Sequence, residues 1–325
     1  MTKESKWAEY KAEYRASLKS SDTEEWFDLI FYRPIGFAWA LLCRKLGITP
    51  NTVTIASIFI GIAAGIMFYY NSVWINVVGM LLLMWANSFD SADGQLARMT
   101  KQYSRIGRIL DGVSGDFWFI SIYVCICLRE TVTSEFFMSW PEVIWIIAVA
   151  AGACHSLQAA QADYYRQFHL FFVNGKEGSE LDSSSPLKEK YASLSWSRDF
   201  MQKLTMMFYI NYTRSQEKRT PVTMTGMYMA MQALRRELRA RFGDGEISPA
   251  FRADFRKASL PLMKYTNMLS FNTRCFALFA SLFVRMPWLY FAFELTVLNI
   301  MLIYMVGRHE RICKRFTMEL KDGKY

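Results

Sequence analysis

Long apolar stretches alternate with short charged ones along this chain. Apolar segments lie near residues 52–71, 73–94, 106–128, 142–164, 267–284 and 287–306. Each is close to the ~20 residues an α-helix needs to cross a bilayer core. The pattern predicts an all-α integral membrane protein with six transmembrane helices. Residues 1–25 are polar and predict a solvated, helix-prone arm. Residues 26–46 mix aromatics with Arg33, Arg44 and Lys45 and are broken by Pro34. They predict a short amphipathic helix lying along the membrane surface. Gly47 to Asn51 reads as a turn, with Asn51 or Thr52 placed to cap the first span. The expected division is therefore 1–48, arm and interfacial helix, and 49–325, a six-helix transmembrane domain.

Residues 166–266 form a helical insertion between spans four and five. Helix-like stretches fall at 187–210 and 222–242, and 174–186 reads as a loop. The second stretch carries Arg235, Arg236, Arg239 and Arg241, which suits a solvated basic helix or one resting on anionic lipid.

Charge sets the orientation. The arm, the 95–105 loop, the insertion and the tail from Arg308 are rich in Lys and Arg, while the opposite loops at 129–141 and 285–286 are short. The positive-inside rule puts both termini, and the junction of spans two and three, on the cytoplasmic side of a plasma membrane. The composition agrees: 52% hydrophobic residues with a net charge of +9 fit a membrane protein with a sizeable wet part. No nucleic-acid partner is expected. The cysteines at 43, 125, 127, 154, 275 and 313 lack zinc-ligand spacing and read as packing residues. Residues 1–25 hold no apolar core of a cleavable signal peptide.

The chemistry gathers at one junction. Asp90, Asp93, Asp111 and Asp116 lie where spans two and three meet. Each carboxylate costs roughly 2.5–3.5 kcal/mol at the centre of a membrane helix. Four together call for a cation, and hard oxygen ligands suit Mg²⁺ or Mn²⁺, two ions clamping phosphate oxygens. Asp90 and Asp93 share one helix face. Gly94, Ala97 and Gly107 leave room for a ligand, and Arg98 can pair with phosphate or with an aspartate.

The string Asp90-x2-Asp93-Gly94-x2-Ala97-Arg98-x8-Gly107-x3-Asp111 resembles the signature of the CDP-alcohol phosphotransferase (CDP-alcohol phosphatidyltransferase) family. Gly-Ile-Thr-Pro-Asn-Thr-Val-Thr at 47–54 resembles that family's approach to its first span, and six spans is its count. The resemblance implies that an alcohol displaces CMP from a CDP-linked donor, here CDP-diacylglycerol. It implies metal ligands at Asp90, Asp93, Asp111 and Asp116, and nucleotide contacts at Asp93, Gly94, Ala97, Arg98 and Gly107. It also implies a homodimer. One position departs from the pattern. The family's last aspartate would fall at 115, where this chain has Gly115 followed by Asp116. On a regular helix Asp116 is rotated about 140° from Asp111, against about 40° for a residue at 115. A π-bulge would bring Asp116 back as fourth ligand and as general base for the acceptor hydroxyl.

Charges inside the later spans address the acceptor. Arg274 in span five, Arg166 closing span four and Arg308 closing span six would make a basic pocket for a phosphorylated alcohol. In this the chain is most like prokaryotic phosphatidylinositol phosphate synthases, whose acceptor is inositol 1-phosphate. His155 and Gln158 share a helix face and fit either acceptor hydroxyls or a polar seam between helices. Arg166 and Arg308 equally fit side chains snorkelling to headgroups. Open alternatives are glycerol 3-phosphate, serine or inositol as acceptor, and a CDP-alcohol donor with a lipid acceptor. A divalent-cation transporter or an inactive scaffold is the competing class. A transporter would want its carboxylates near the midplane on broken or repeated helices.

Overall fold

The computed structural model describes residues 3–18, 20, 22–175, 191–195, 199, 203, 206–207, 210, 229–242 and 247–325. Every regular element among them is helical. The chain forms two compact units. The first comprises Met1–Gly152, Leu204–Tyr209 and Cys275–Ala292, and the second comprises Ala153–Lys203, Ile210–Arg274 and Phe293–Tyr325.

The first unit opens with α1 (Lys3–Ser17), a π-helical turn (Asp28–Tyr32) and α2 (Arg33–Lys45). α3 (Pro50–Met67), α4 (Val73–Thr100), α5 (Arg105–Thr133) and the short α6 (Glu135–Ser139) follow. Pro34 sits in the first turn of α2, where a missing N–H costs nothing, so it starts the helix rather than breaking it. Gly47 ends α2 at φ +71°, and the Ile48 N–H bonds the Cys43 carbonyl at 2.9 Å. That closes a Schellman-type cap. The cap of α3 is Thr49, whose side chain accepts from the Thr52 N–H, rather than Asn51 or Thr52. Asn51 is thereby free for another contact.

α3 packs against both α4 and α5. A side chain at Gly61 would come within 2.1 Å of Trp118, and one at Gly65 within 2.4 Å of Ser121 Oγ. Small residues allow this approach, as in membrane helix pairs generally. α2 lies on α4, burying Gly36, Ala40 and Cys43. Trp39 sets its ring 4.9 Å from Phe89 and 6.1 Å from Trp85. The outer side of α2 exposes Ile35, Leu42 and Leu46, an apolar face suited to lipid. At the other end of the spans, buried Arg129 donates to the Phe68 carbonyl and to Asn71 Oδ1 at 2.9 Å.

α7 (Pro141–Asn174) starts in the first unit and continues into the second. The second unit adds α8 (Met229–Phe242), α9 (Pro249–Ser259) and α10 (Met263–Met268). α11 (Phe271–Phe283) leads to α12 (Trp288–Phe293), a π-turn (Glu294–Leu298) and α13 (Asn299–Lys321). The last three form one 34-residue apolar helix, and α7 also has 34 residues. At 1.5 Å per residue each is about 51 Å long, some 20 Å more than a bilayer core. The surplus carries a core of its own. Phe168, Phe172, Phe251, Phe255, Phe316, Leu234 and Leu238 are buried together, with Phe172 and Phe255 4.7 Å apart. Such aromatic pairs add about 0.5–1.5 kcal/mol each beyond burial.

Among the described residues five helices are long and apolar enough to span: Pro50–Met67, Val73–Thr100, Ile106–Thr133, Pro141–Asn174 and Trp288–Lys321. The expected span at 267–284 is instead divided. α10 ends at Met268 and α11 has 13 residues, about 20 Å of helix. Leu269 and Ser270 interrupt it, and Ser270 Oγ turns back to the Asn267 carbonyl. The expected loop at 174–186 and helix at 187–210 lie largely outside the described residues. Of the 222–242 stretch, 229–242 is α8. It buries Leu234 and Leu238 and leaves Arg235, Arg236, Arg239 and Arg241 outward. α8 packs on α13, and Arg241 donates to the Leu320 carbonyl at 2.5 Å.

Candidate metal and nucleotide site

In the first unit, α4 and α5 bring together three carboxylates distant in sequence. One oxygen each of Asp90, Asp93 and Asp111 lies within 4.8 Å of the others. Asp93 is 4% exposed, and its carboxylate accepts from the Thr54 hydroxyl of α3. Asp90 Oδ1 accepts from Ser114 Oγ at 2.9 Å, and the same hydroxyl contacts the Asp111 carbonyl oxygen. Among the described residues no lysine or arginine forms an ion pair with Asp93. Carboxylates this close, one of them buried, repel one another, and a bound cation relieves that repulsion. The donor set therefore fits a hard divalent ion held by three carboxylates.

The expectation for Asp116 is overturned. α5 runs as regular α-helix from Arg105 to Thr133, with no π-bulge between Asp111 and Asp116. Asp116 is exposed and stays outside the group of three. The helical rotation that separates it from Asp111 is left uncorrected. A side chain added at Gly115 would meet nothing within 4 Å, so space, rather than a carboxylate, stands where the fourth acid was expected.

The nucleotide-side positions divide. A Cβ at Gly94 would lie 3.4 Å from Arg98 Nη1, so glycine keeps room beneath the guanidinium. Ala97 follows one turn on along the same face. Gly107 does not open a notch. A Cβ there would fall 2.4 Å from Asn51 Oδ1, and Ser104 Oγ, which caps α5, also approaches Asn51 at 3.1 Å. Gly107 thus lets the start of α5 close onto the start of α3. Asn51, expected only as a candidate helix cap, and Thr54 and Ser114 join the site. Their signal was the 47–54 stretch itself, and for Ser114 its place three residues after Asp111.

The acceptor-side residues belong to the second unit and also divide. Arg274, 1% exposed, pairs with Glu294 and donates to Gln158 Oε1 at 2.8 Å and to the Leu269 carbonyl at 3.2 Å. His155 Nδ1 lies 3.1 Å from Glu294 Oε1, and Gln158 Nε2 donates to Asn299 Oδ1 at 2.8 Å. The assignment of Arg274 and His155 to the acceptor gives way to an internal polar seam. Glu294, the first residue of the π-turn, supplies the negative charge. An acid and a base 20 residues apart in apolar segments were the sequence signal for that pair.

Arg166 and Arg308 have a different setting. Arg166 donates to Asn267 Oδ1 on α10 at 3.3 Å, and its Nε is buried without a hydrogen-bond partner among the described residues. Arg308 is exposed beside Tyr304, whose ring lies 5.1 Å from that of Tyr265 on α10. Lys264 Nζ sits 4.8 Å over the Tyr265 ring. Two of the three expected cations thus border α10, and Lys264 joins them.

No curated protein matches the chain. Residues 47–168, from the turn before α3 into α7, match the family model for CDP-alcohol phosphatidyltransferase. That stretch contains every residue of the acidic motif together with Asn51, Thr54 and Ser114. Over residues 47–168 the chain therefore carries a CDP-alcohol phosphatidyltransferase domain, and it is an enzyme of that type.

Proposed function

We propose that the protein transfers a phosphatidyl group from CDP-diacylglycerol to a polar alcohol bearing its own anionic group, inositol 1-phosphate foremost, and releases CMP. The convergence of Asp90, Asp93 and Asp111 inside the family-matched stretch carries the donor half of this reading. Mg²⁺ or Mn²⁺ bound there would neutralise the diphosphate and stabilise the departing CMP. The chain's own residues set the geometry. Thr54 holds the Asp93 carboxylate and Ser114 that of Asp90. Gly94 keeps space under Arg98 for the nucleotide's phosphates. Asp111 is exposed and is the carboxylate an acceptor hydroxyl can approach. Asp116, turned away on a regular helix, is not given the role of base.

The anionic acceptor is supported by unspent positive charge in the second unit. Arg274 is neutralised by Glu294. Arg166 keeps a buried Nε without a partner among the described residues, and Arg308 and Lys264 are exposed. A guanidinium with a free donor suits a phosphate. The asymmetry of Lys and Arg between loops supports a site on the cytoplasmic face of the plasma membrane, and the family likeness supports a homodimer.

The test is CMP release by the purified protein in lipid with Mg²⁺ and CDP-diacylglycerol. The acceptor panel is inositol 1-phosphate, glycerol 3-phosphate, inositol and serine. Release driven by a phosphorylated acceptor supports the reading. Release only with inositol or serine overturns the anionic acceptor. No release with any of them overturns the donor assignment.

A further inference from the structure

The N-terminal arm is tied to the catalytic helix by more than apolar packing. On α4, at 100° per residue, Asp90, Asp93, Gly94 and Ala97 cluster on one side. Ser91, Gln95 and Arg98 form a neighbouring stripe on three successive turns. Each of the three stripe residues bonds the start of the chain. Arg33 Nη1 donates to Ser91 Oγ at 3.2 Å. Gln95 Nε2 donates to Ser17 Oγ at 3.2 Å and to the Arg33 carbonyl at 3.3 Å. Arg98 Nε donates to the Ser17 carbonyl at 2.5 Å. The fastening is itself braced, because Arg33 Nε pairs with Glu24 Oε2 at 2.7 Å and the Glu24 side chain is only 3% exposed. Ser17 is 1% exposed.

Arg98 stands on the border between stripe and motif. One nitrogen is held by the arm. The other two lie over Gly94, 3.4 and 3.6 Å from where a Cβ would sit. Nη2 is buried without a hydrogen-bond partner among the described residues. An unmade bond on a buried guanidinium is costly, and its fork matches phosphate oxygens. A long side chain gripped at Nε keeps fewer rotamers, so less freedom is lost when a ligand takes the remaining donors.

We propose that the N-terminal arm, through Ser17, Gln95 and the Glu24–Arg33 pair, is a positioning element that fixes Arg98 for the diphosphate of the nucleotide donor. This rests on the phosphatidyltransferase reading. Ser17, Glu24, Arg33 and Gln95 act through Arg98 and touch no substrate. Linkage then requires the reverse effect, that bound donor tightens the arm. Lys11 and Arg15, exposed on α1, report arm release as tryptic sites.

The experiment uses the full chain in lipid nanodiscs with Mg²⁺ and CDP-diacylglycerol. It reads steady-state kinetics together with the rate of cleavage at Lys11 and Arg15. Gln95→Leu is expected to raise the KM for CDP-diacylglycerol about five- to tenfold, the loss of one or two hydrogen bonds, with kcat nearly unchanged. Donor should slow cleavage in the wild type, and this protection should shrink in Gln95→Leu. Should Gln95→Leu melt early, Ser17→Ala, which removes the hydroxyl that accepts from Gln95 and donates to the Tyr14 carbonyl, should give the same pattern in smaller measure. Unchanged KM in a folded variant, or arm cleavage indifferent to donor in an active wild type, overturns the positioning role alone. A wild type that neither releases CMP nor responds to donor overturns the phosphatidyltransferase reading, and this proposal with it.

Discussion

Two charge clusters on apolar helices, one in each unit, invite comparison. In the first unit Asp90, Asp93 and Asp111 converge, and the hydroxyls of Thr54 and Ser114 donate to Asp93 and Asp90. In the second unit Glu294 is met by Arg274, with His155 and Gln158 completing the set. Both place ionisable groups in apolar segments, where charge is expensive. The second cluster neutralises itself and needs no ligand. The first gathers three carboxylates into a donor set that fits a cation. An intramembrane charge is therefore not by itself a site. What marks the brace is that Arg274 supplies the charge opposite to Glu294 within the fold.

Breaking the self-sufficient cluster should cost the most. Glu294→Gln strands the Arg274 guanidinium, and removing one partner of a buried pair costs about 3–5 kcal/mol. Thermal melting in detergent should show it as a large drop or a failure to fold. Replacing both partners by apolar residues, Arg274→Met with Glu294→Leu, should recover most of that stability. A drop just as large in the double variant would mean the pair does more than brace.

The open cluster should behave in the opposite sense, losing activity and keeping its fold. Asp93→Asn should lower CMP release by about 10²–10³-fold, as removal of a key electrostatic group does. The melting temperature should hold or rise, because a buried like charge is relieved. Next in size come the exposed cations. Lys264→Met and Arg308→Met should each raise the KM for a phosphorylated acceptor by about tenfold, the order of a charge-assisted hydrogen bond. The KM for CDP-diacylglycerol should stay unchanged. Arg274 variants that still fold should not show that pattern. Smallest is Asp116→Asn, for which CMP release should stay within about twofold of wild type, against the large loss a general base would give. A hundredfold loss would restore Asp116 to the chemistry.

Much of this could be read from residue order. The helical class, the approximate position of five spans and the acidic motif follow from apolar runs and a spaced string of acids and glycines. Helix ends were harder. α7 and the helix from Trp288 to Lys321 outrun their apolar windows, because the excess is buried by α8 and α9 rather than by lipid. The expected span at 267–284 broke at Leu269 and Ser270, where hydropathy alone marks no interruption. Partnerships were hardest. That Glu294 would take Arg274, that Asn51 would fill the space at Gly107, and that Ser17 would hold Arg98 are contacts between residues 20 to 81 positions apart. Asp116 failed for a local reason. One extra residue rotates a side chain by about 100°, and the helix did not bulge to absorb it.

The most direct measurement is CMP release from CDP-diacylglycerol during a Mg²⁺ titration after chelation. Wild type and Asp93→Asn would be compared in the same lipid, with inositol 1-phosphate as acceptor. The account predicts no release without divalent ion, saturable recovery in the wild type, and release near background in Asp93→Asn at every Mg²⁺ concentration. Release that persists after chelation, or equal release from Asp93→Asn, would contradict it.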